Sequence, residues 1–210
     1  MTPLPPCGLY AITSDALCRD GSTLLRGVTA ALRGGAVIVQ YRDKVNDAPT
    51  RLRHARLLQA VCREAGVPLI INDGPAQQVA DQGFDGLHLG LDDGDLLLAR
   101  RAAPRALLGA TCGQSLERAK AAVQAGADYV AFGAFHASAT KPLASIAPLT
   151  LLREACRALT QPICAIGGIT PANAPPLIEA GADYIAAIGG VFGAGDIEAA
   201  ARSYSKLFRR

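Results

Sequence analysis

QAGADYVAFGAF at residues 124–135 and EAGADYIAAIGGVF at residues 179–192 repeat one another at a spacing of 55 residues. That interval is close to two strand-helix units, and in each copy Gly-Ala-Asp joins the end of a helical pattern to a short apolar run. An element built twice in this way points to a repetitive, closed sheet. Working outward from the repeat, similar β-type runs stand at 8–13, 36–42, 68–72, 86–90, 106–111, 128–133, 162–167 and 183–188. Between them, apolar residues recur near every 3.6 positions at 50–65, 115–125, 145–159, 171–180 and 196–208. Gly34, Gly66, Gly83, Gly126 and Gly181 follow helical stretches and are expected to close them in the left-handed conformation.

Eight alternating units predict an α/β chain folded as a (β/α)8 TIM barrel. An open doubly wound sheet is the competing reading. Its usual mark is G-x-G-x-x-G after the first strand, and GLYAITSDALC stands there instead. No interior shift in composition marks a linker, so one domain over 1–210 is expected.

Half the residues are apolar, enough for a sizeable core, and the net charge of +3 is too mild and too dispersed to suggest a nucleic-acid partner. Arg51, Arg53, His54, Arg56 and Arg63 fall on one helical pattern and read as a solvated face. Cysteines at 7, 18, 62, 112, 156 and 164 show neither C-x-x-C nor a histidine at zinc-finger spacing, which implies reduced thiols and a cytoplasmic protein. Neither a signal peptide nor a membrane span is expected. The oligomeric state is left open, a homo-oligomer included.

In such a barrel the chemistry gathers at the C-terminal ends of the strands. At the second strand, period-2 alternation puts Gln40, Arg42 and Lys44 on one side, an amide and two cations suited to a ring heteroatom and a phosphate. The plain alternative pairs the cations with Asp43 or Asp47. Asp73 closes the third strand, and Asp92 and Asp93 follow the fourth, so carboxylates at adjacent strand ends can cradle magnesium; as Asx residues they equally suit helix caps near Pro75 and Gly94. Ser138, Thr140 and Lys141 fall in a loop of small residues after the sixth strand, which reads as a phosphate-gripping lid or as an ordinary surface loop. Gly167-Gly168 leads to Thr170-Pro171, read as an N-cap and a first helical residue. Gly189-Gly190 leads to Val191-Phe192-Gly193, long enough for a short extra helix. These glycine turns suit phosphate binding, though glycine pairs also occur where a helix packs closely on a strand. His88 lies within the fourth strand and reads as a packed or hydrogen-bonded histidine.

Q-Y-R-D-K at 40–44, N-D at 72–73, L-H-L-G-L-D-D at 87–93, S-A-T-K-P at 138–142, A-I-G-G-I at 165–169 and G-A-D-Y before Gly189 resemble the thiamine phosphate synthase family in order and spacing over nearly the whole chain. The resemblance implies condensation of a hydroxymethylpyrimidine diphosphate with a thiazole phosphate, with Mg2+ as cofactor. It implies that Gln40, Arg42, Lys44 and Asn72 hold the pyrimidine diphosphate and that Asp73 and Asp93 bind the metal. Thr111, where the family usually has serine, is then set to contact the diphosphate and Lys141 to grip it as it leaves. Arg42, Thr111 and Lys141 take the catalytic roles. Ser138 and Thr140 meet the thiazole side, and Gly168 with the backbone of Ile188 and Gly189 cradles its phosphate. The sequence departs from the family pattern at Leu91, usually glutamine; Gly113, often histidine; Ala134 and Ala137, usually proline; and Gly189, usually serine. Two other readings are a thiazole tautomerase of the same fold and a barrel that binds a thiamine precursor without turnover.

Overall fold

The computed structural model describes residues 3–137 and 145–208. Eight strands, β1 (Gly8–Ile12), β2 (Ala36–Tyr41), β3 (Leu69–Asn72), β4 (Gly86–Leu89), β5 (Leu107–Gly113), β6 (Tyr129–Gly133), β7 (Ile163–Ile166) and β8 (Tyr184–Ala187), pair in parallel in chain order. β8 returns to β1 through Gly8 to Tyr184 and Ala11 to Ala187, which closes the barrel. Around it run α1 (Asp15–Cys18), α2 (Gly21–Arg33), α3 (Ala48–Glu64), α4 (Ala76–Gln82), α5 (Leu96–Ala102), α6 (Leu116–Gln124), α7 (Leu149–Ala158), α8 (Pro175–Glu179), α9 (Gly189–Phe192) and α10 (Ile197–Ser205), with a 3-10 turn at Lys206–Phe208. The (β/α)8 expectation therefore holds, and every strand lies within its anticipated window except β5, which runs two residues past 111 to Gly113.

The repeat has a structural cause. The aspartate that precedes each of three even-numbered strands reaches sideways to cap the strand before it. Asp85 accepts from the backbone N–H of Leu69 at 3.1 Å, Asp128 from that of Leu108 at 2.7 Å and Asp183 from that of Ile163 at 2.8 Å. Each bond satisfies a donor at the barrel floor that water would otherwise have to reach.

Alternation along the strands divides the apolar side chains into two layers. Leu9, Val39, Leu69, Leu87, Leu108, Val130 and Ile185 point outward and pack under the helices. Tyr10, Ile12, Ile38, Ile70, Leu107, Tyr129, Cys164 and Tyr184 fill the interior. Asp20, Asp47, Asp95, Ser115 and Asp196 cap α2, α3, α5, α6 and α10 with side-chain oxygens, so the helix starts are set by local chemistry.

Two expectations about helix ends are corrected. Gly34 closes α2 in a right-handed conformation, φ −72°, and the left-handed turn falls one residue later at Gly35, φ +94°. Thr170 does not cap a helix: residues 171–173 form a turn, and α8 starts at Pro175 after Ala174. Prolines at both 175 and 176 supply the pre-set φ that starts this helix, which outweighs the earlier Thr-Pro signal. Among the described residues no helix is long and apolar enough to cross a membrane, and the six cysteines are free.

Candidate active site

β2 ends at Tyr41, and the chain turns sharply over the barrel rim. Asp43, buried, fixes this turn by accepting from the backbone N–H groups of Val45 and Asn46 at 3.0 Å, from Asn46 Nδ2 at 2.8 Å and from the Tyr41 hydroxyl at 2.7 Å. Burial opposes the charge on Asp43, but these donors outweigh it and hold the carboxyl below its usual range. The turn separates the residues that alternation would put together. Gln40 stays inside the barrel, where its Nε2 donates to the Tyr10 hydroxyl at 2.9 Å. Arg42 reaches Asp15 at the start of α1, Nη1 to Oδ1 3.1 Å, and Lys44 crosses to Asp73, Nζ to Oδ2 2.5 Å. Neither cation pairs with Asp43 or Asp47, so the plain surface pairing is replaced by contacts made possible only by the fold.

At the ends of β3 and β4 the carboxyls of Asp73 and Asp93 come together, close enough for each to shift the ionisation of the other. Asp73 also accepts from Asn72 Nδ2 at 2.5 Å. Its backbone takes φ +44°, a left-handed value uncommon for a residue with a side chain. Burial works against the charge of Asp73, yet donation by Lys44, Asp93 and Asn72 prevails and lowers its pKa. The contact with Asp73, then burial, raises that of Asp93. Gly90 makes the approach possible: its N–H donates to Asp93 Oδ2 at 3.1 Å, and a Cβ there would lie 2.1 Å from that oxygen. The helix-capping alternative for these two aspartates is not what the structure shows, because α4 begins at Ala76 after Pro75 without a side-chain cap and α5 is capped by Asp95.

Below this rim a polar chain crosses the barrel interior. The Tyr10 and Tyr129 hydroxyls are 2.7 Å apart, Tyr129 meets His88 Nδ1 at 3.0 Å, and His88 Nε2 meets Thr111 Oγ1 at 2.8 Å. Thr111 lies on β5 beside an irregularity in its pairing with β6, the sort of local bulge that re-aims a side chain. Burial lowers the pKa of His88 to about 4, against a small opposing pull from Asp73. His88 is thus hydrogen-bonded on both ring nitrogens, as its place inside a strand suggested.

On the far side of the mouth, backbone replaces side chains. Gly168, φ +58°, lies under the chain leaving β6: a Cβ there would come within 2.2 Å of the Ala137 carbonyl oxygen and 2.7 Å of that of His136. Asn173 braces the turn, donating to the Gly168 carbonyl at 3.1 Å and accepting from Thr170 N–H at 2.7 Å. Ile188 precedes α9, whose existence the Gly189-Gly190 pair foretold. Gly190 has to be glycine because a Cβ would fall 2.1 Å from the Tyr204 hydroxyl, whereas at Gly189 it would meet nothing within 4 Å. Ser138, Thr140 and Lys141 lie outside the described residues.

A family model described as thiamine monophosphate synthase matches residues 9–191. The chain belongs to the thiamine monophosphate synthase family. A thiamine-phosphate synthase of Methylococcus capsulatus is 51% identical over 98% of this chain and 91% of its own, and one of Thiobacillus denitrificans is 49% identical over 97% and 95%. The solved thiamine phosphate pyrophosphorylase of Pyrococcus furiosus superposes with a TM-score of 0.86 at 30% identity, covering 96% of this chain and 95% of that one. Against the family pattern, the departures at Leu91 and Gly113 prove to be neighbours, since a Cβ on Gly113 would lie 3.9 Å from Leu91 Cδ1.

Sequence reasoning missed Asp15 as the partner of Arg42 and Gly90 as the space for Asp93. It also missed Tyr10 and Tyr129 as polar members of the interior. Strand parity could have found the tyrosines, because Tyr10, Gln40, His88, Thr111 and Tyr129 all take the inward phase of their strands.

Proposed function

We propose that the protein, working as a single domain over residues 1–210, is a transferase that condenses 4-amino-2-methyl-5-hydroxymethylpyrimidine diphosphate with 4-methyl-5-(2-phosphoethyl)thiazole or its carboxylate, giving thiamine phosphate and diphosphate. The observation that carries this reading is the Asp73–Asp93 carboxyl pair with Lys44 and Asn72 at its edge. A tautomerase acting on the thiazole phosphate alone has no need for such a group, and a diphosphate does.

The donor set suits Mg2+. Two hard oxygen ligands meet at adjacent strand ends, and among the described residues no set of three or more His, Cys, Asp or Glu converges. That leaves coordination positions for water and phosphate, as magnesium prefers. When bound there by Asp73 and Asp93, Mg2+ supplies charge neutralisation for the diphosphate. Lys44 adds a cation beside the same oxygens. Arg42, fixed by Asp15, and Lys141 take further diphosphate charge as the bond from the pyrimidine methylene carbon to oxygen breaks. Thr111 contributes a hydroxyl, and Gln40 and Asn72 orient the pyrimidine ring. By the family resemblance Ser138 and Thr140 are assigned to the thiazole, whose phosphate rests on the backbone of Gly168, Ile188 and Gly189. The thiazole nitrogen then attacks the methylene carbon. Such a reaction depends on positioning and on stabilising the leaving charge more than on an acid-base pair.

An assay of the purified protein with both substrates and Mg2+, with an EDTA control, tests this. Formation of thiamine phosphate and diphosphate only with metal is expected. Binding of either substrate without turnover would replace the synthase with the tautomerase or with a precursor-binding barrel.

A further inference from the structure

We propose that Tyr10, Tyr129 and His88 act as positioning residues in a one-way hydrogen-bonded chain, which sets the Thr111 hydroxyl as a donor at one end and Gln40 Oε1 as an acceptor at the other. The inference rests on the substrate assignment above and adds to it how the two ends of the pyrimidine diphosphate are read by one interior network.

The direction follows from counting protons. An amide nitrogen donates and does not accept. Gln40 Nε2 donates to Tyr10, 2.9 Å away, which leaves the single Tyr10 proton for Tyr129 at 2.7 Å. The Tyr129 proton then goes to His88 Nδ1 at 3.0 Å, and a neutral imidazole must carry its own proton on Nε2, facing Thr111 Oγ1 at 2.8 Å. With its lone pair engaged from below, the Thr111 hydroxyl directs its proton to the barrel mouth. Tyr10 and Tyr129 are about completely buried, so a hydroxyl left out of the chain has no water to turn to.

The interior is shaped to keep this line unbroken. A Cβ on Gly109 would lie 2.2 Å from the Tyr129 hydroxyl and 2.5 Å from His88 Nδ1, so glycine opens the place where the two meet. Tyr184 packs edge-on against both tyrosine rings, with centroids 6.5 and 6.4 Å away.

Both ends of the substrate favour the same order. An amino group on the pyrimidine donates to Gln40 Oε1, which accepts no hydrogen bond among the described residues. An anionic diphosphate oxygen accepts from Thr111. The opposite order would set an amide N–H against an amine and a hydroxyl lone pair against an anion.

The test is the tautomer of His88, read by 15N NMR of the whole protein labelled at its three histidines and assigned with His88→Asn. A proton on Nε2 with a bare Nδ1 is expected; a proton on Nδ1 overturns the proposal and needs no variant to be seen. In turnover, Tyr129→Phe should lower kcat about tenfold while leaving the KM for thiazole phosphate within about twofold. Combined with Thr111→Val it should add almost nothing, and fully additive losses overturn the chain. The two readings fail separately. Full turnover by Thr111→Val beside the expected tautomer removes the substrate from that end, while the Nδ1–H tautomer beside an impaired Thr111→Val removes the proton order and keeps the site.

Discussion

Around β3 and β4 the barrel mouth is furnished with charged side chains, Lys44 on Asp73 at 2.5 Å and Asp73 on Asp93. Around β7 and β8 it offers main chain: Gly168 beneath the His136 and Ala137 carbonyls, and Gly189 with open space where a side chain would stand. The first region gathers charge by bringing together groups that repel or attract strongly, and it needs strain at Asp73 and a glycine at 90 to do so. The second presents backbone groups and little side chain to truncate. A diphosphate with a metal asks for the first kind of site and a phosphate monoester is content with the second. The two halves should therefore break in different ways.

The largest effect is expected on the side-chain half. Asp93→Asn should cut turnover by at least about 100-fold while leaving the fold intact by circular dichroism, because it removes a proposed metal ligand and spares the volume. Turnover within a few-fold of the parent would remove the metal from this pair. Next comes the backbone half, where alanine intrudes instead of truncating. Gly168→Ala should destabilise the protein by about 1–3 kcal/mol in denaturant titration, since it adds a Cβ at positive φ against two carbonyl oxygens. It should also raise the KM for thiazole phosphate and spare that for the pyrimidine diphosphate; an equal rise in both would erase the division between the halves.

Lys44→Gln should raise the KM for the pyrimidine diphosphate about tenfold, through loss of one charge-assisted contact, with the thiazole phosphate KM unmoved. The smallest change sharpens the contrast. Gly189→Ser has room to be accommodated and adds one hydroxyl to a backbone site, so steady-state kinetics should show the KM for thiazole phosphate falling by up to about fivefold. A rise in KM would mean that the phosphate does not lie beside residue 189.

Much of this arrangement was legible in the chain, and the reasons are local. The Gly-Ala-Asp repeat marks aspartates that cap the neighbouring strand, a role seen again at Asp85. Strand parity was legible too, though it was read only at Gln40: in the structure it turns Tyr10 and Ile38 inward and Leu9 and Val39 outward. Local signals misled where two of them competed. At Thr170-Pro171 a good start signal lost to the proline pair four residues later. At Asp73 and Asp93 residues with strong capping preference were drawn instead to each other, while Asp95 took the cap of α5.

The sequence by itself determined the alternation, the closed barrel and the types of residue that line its mouth, because periodicity, caps and turn glycines act within a few residues of one another. Only the tertiary structure decided that Arg42 would rest on Asp15 and Lys44 on Asp73, 27 and 29 residues away. It alone joined Gln40 to Thr111 through three side chains contributed by β1, β4 and β6. Those partners meet because closure brings distant strands face to face across one dry interior, where every buried polar group has to find its hydrogen bond in whatever the other strands provide.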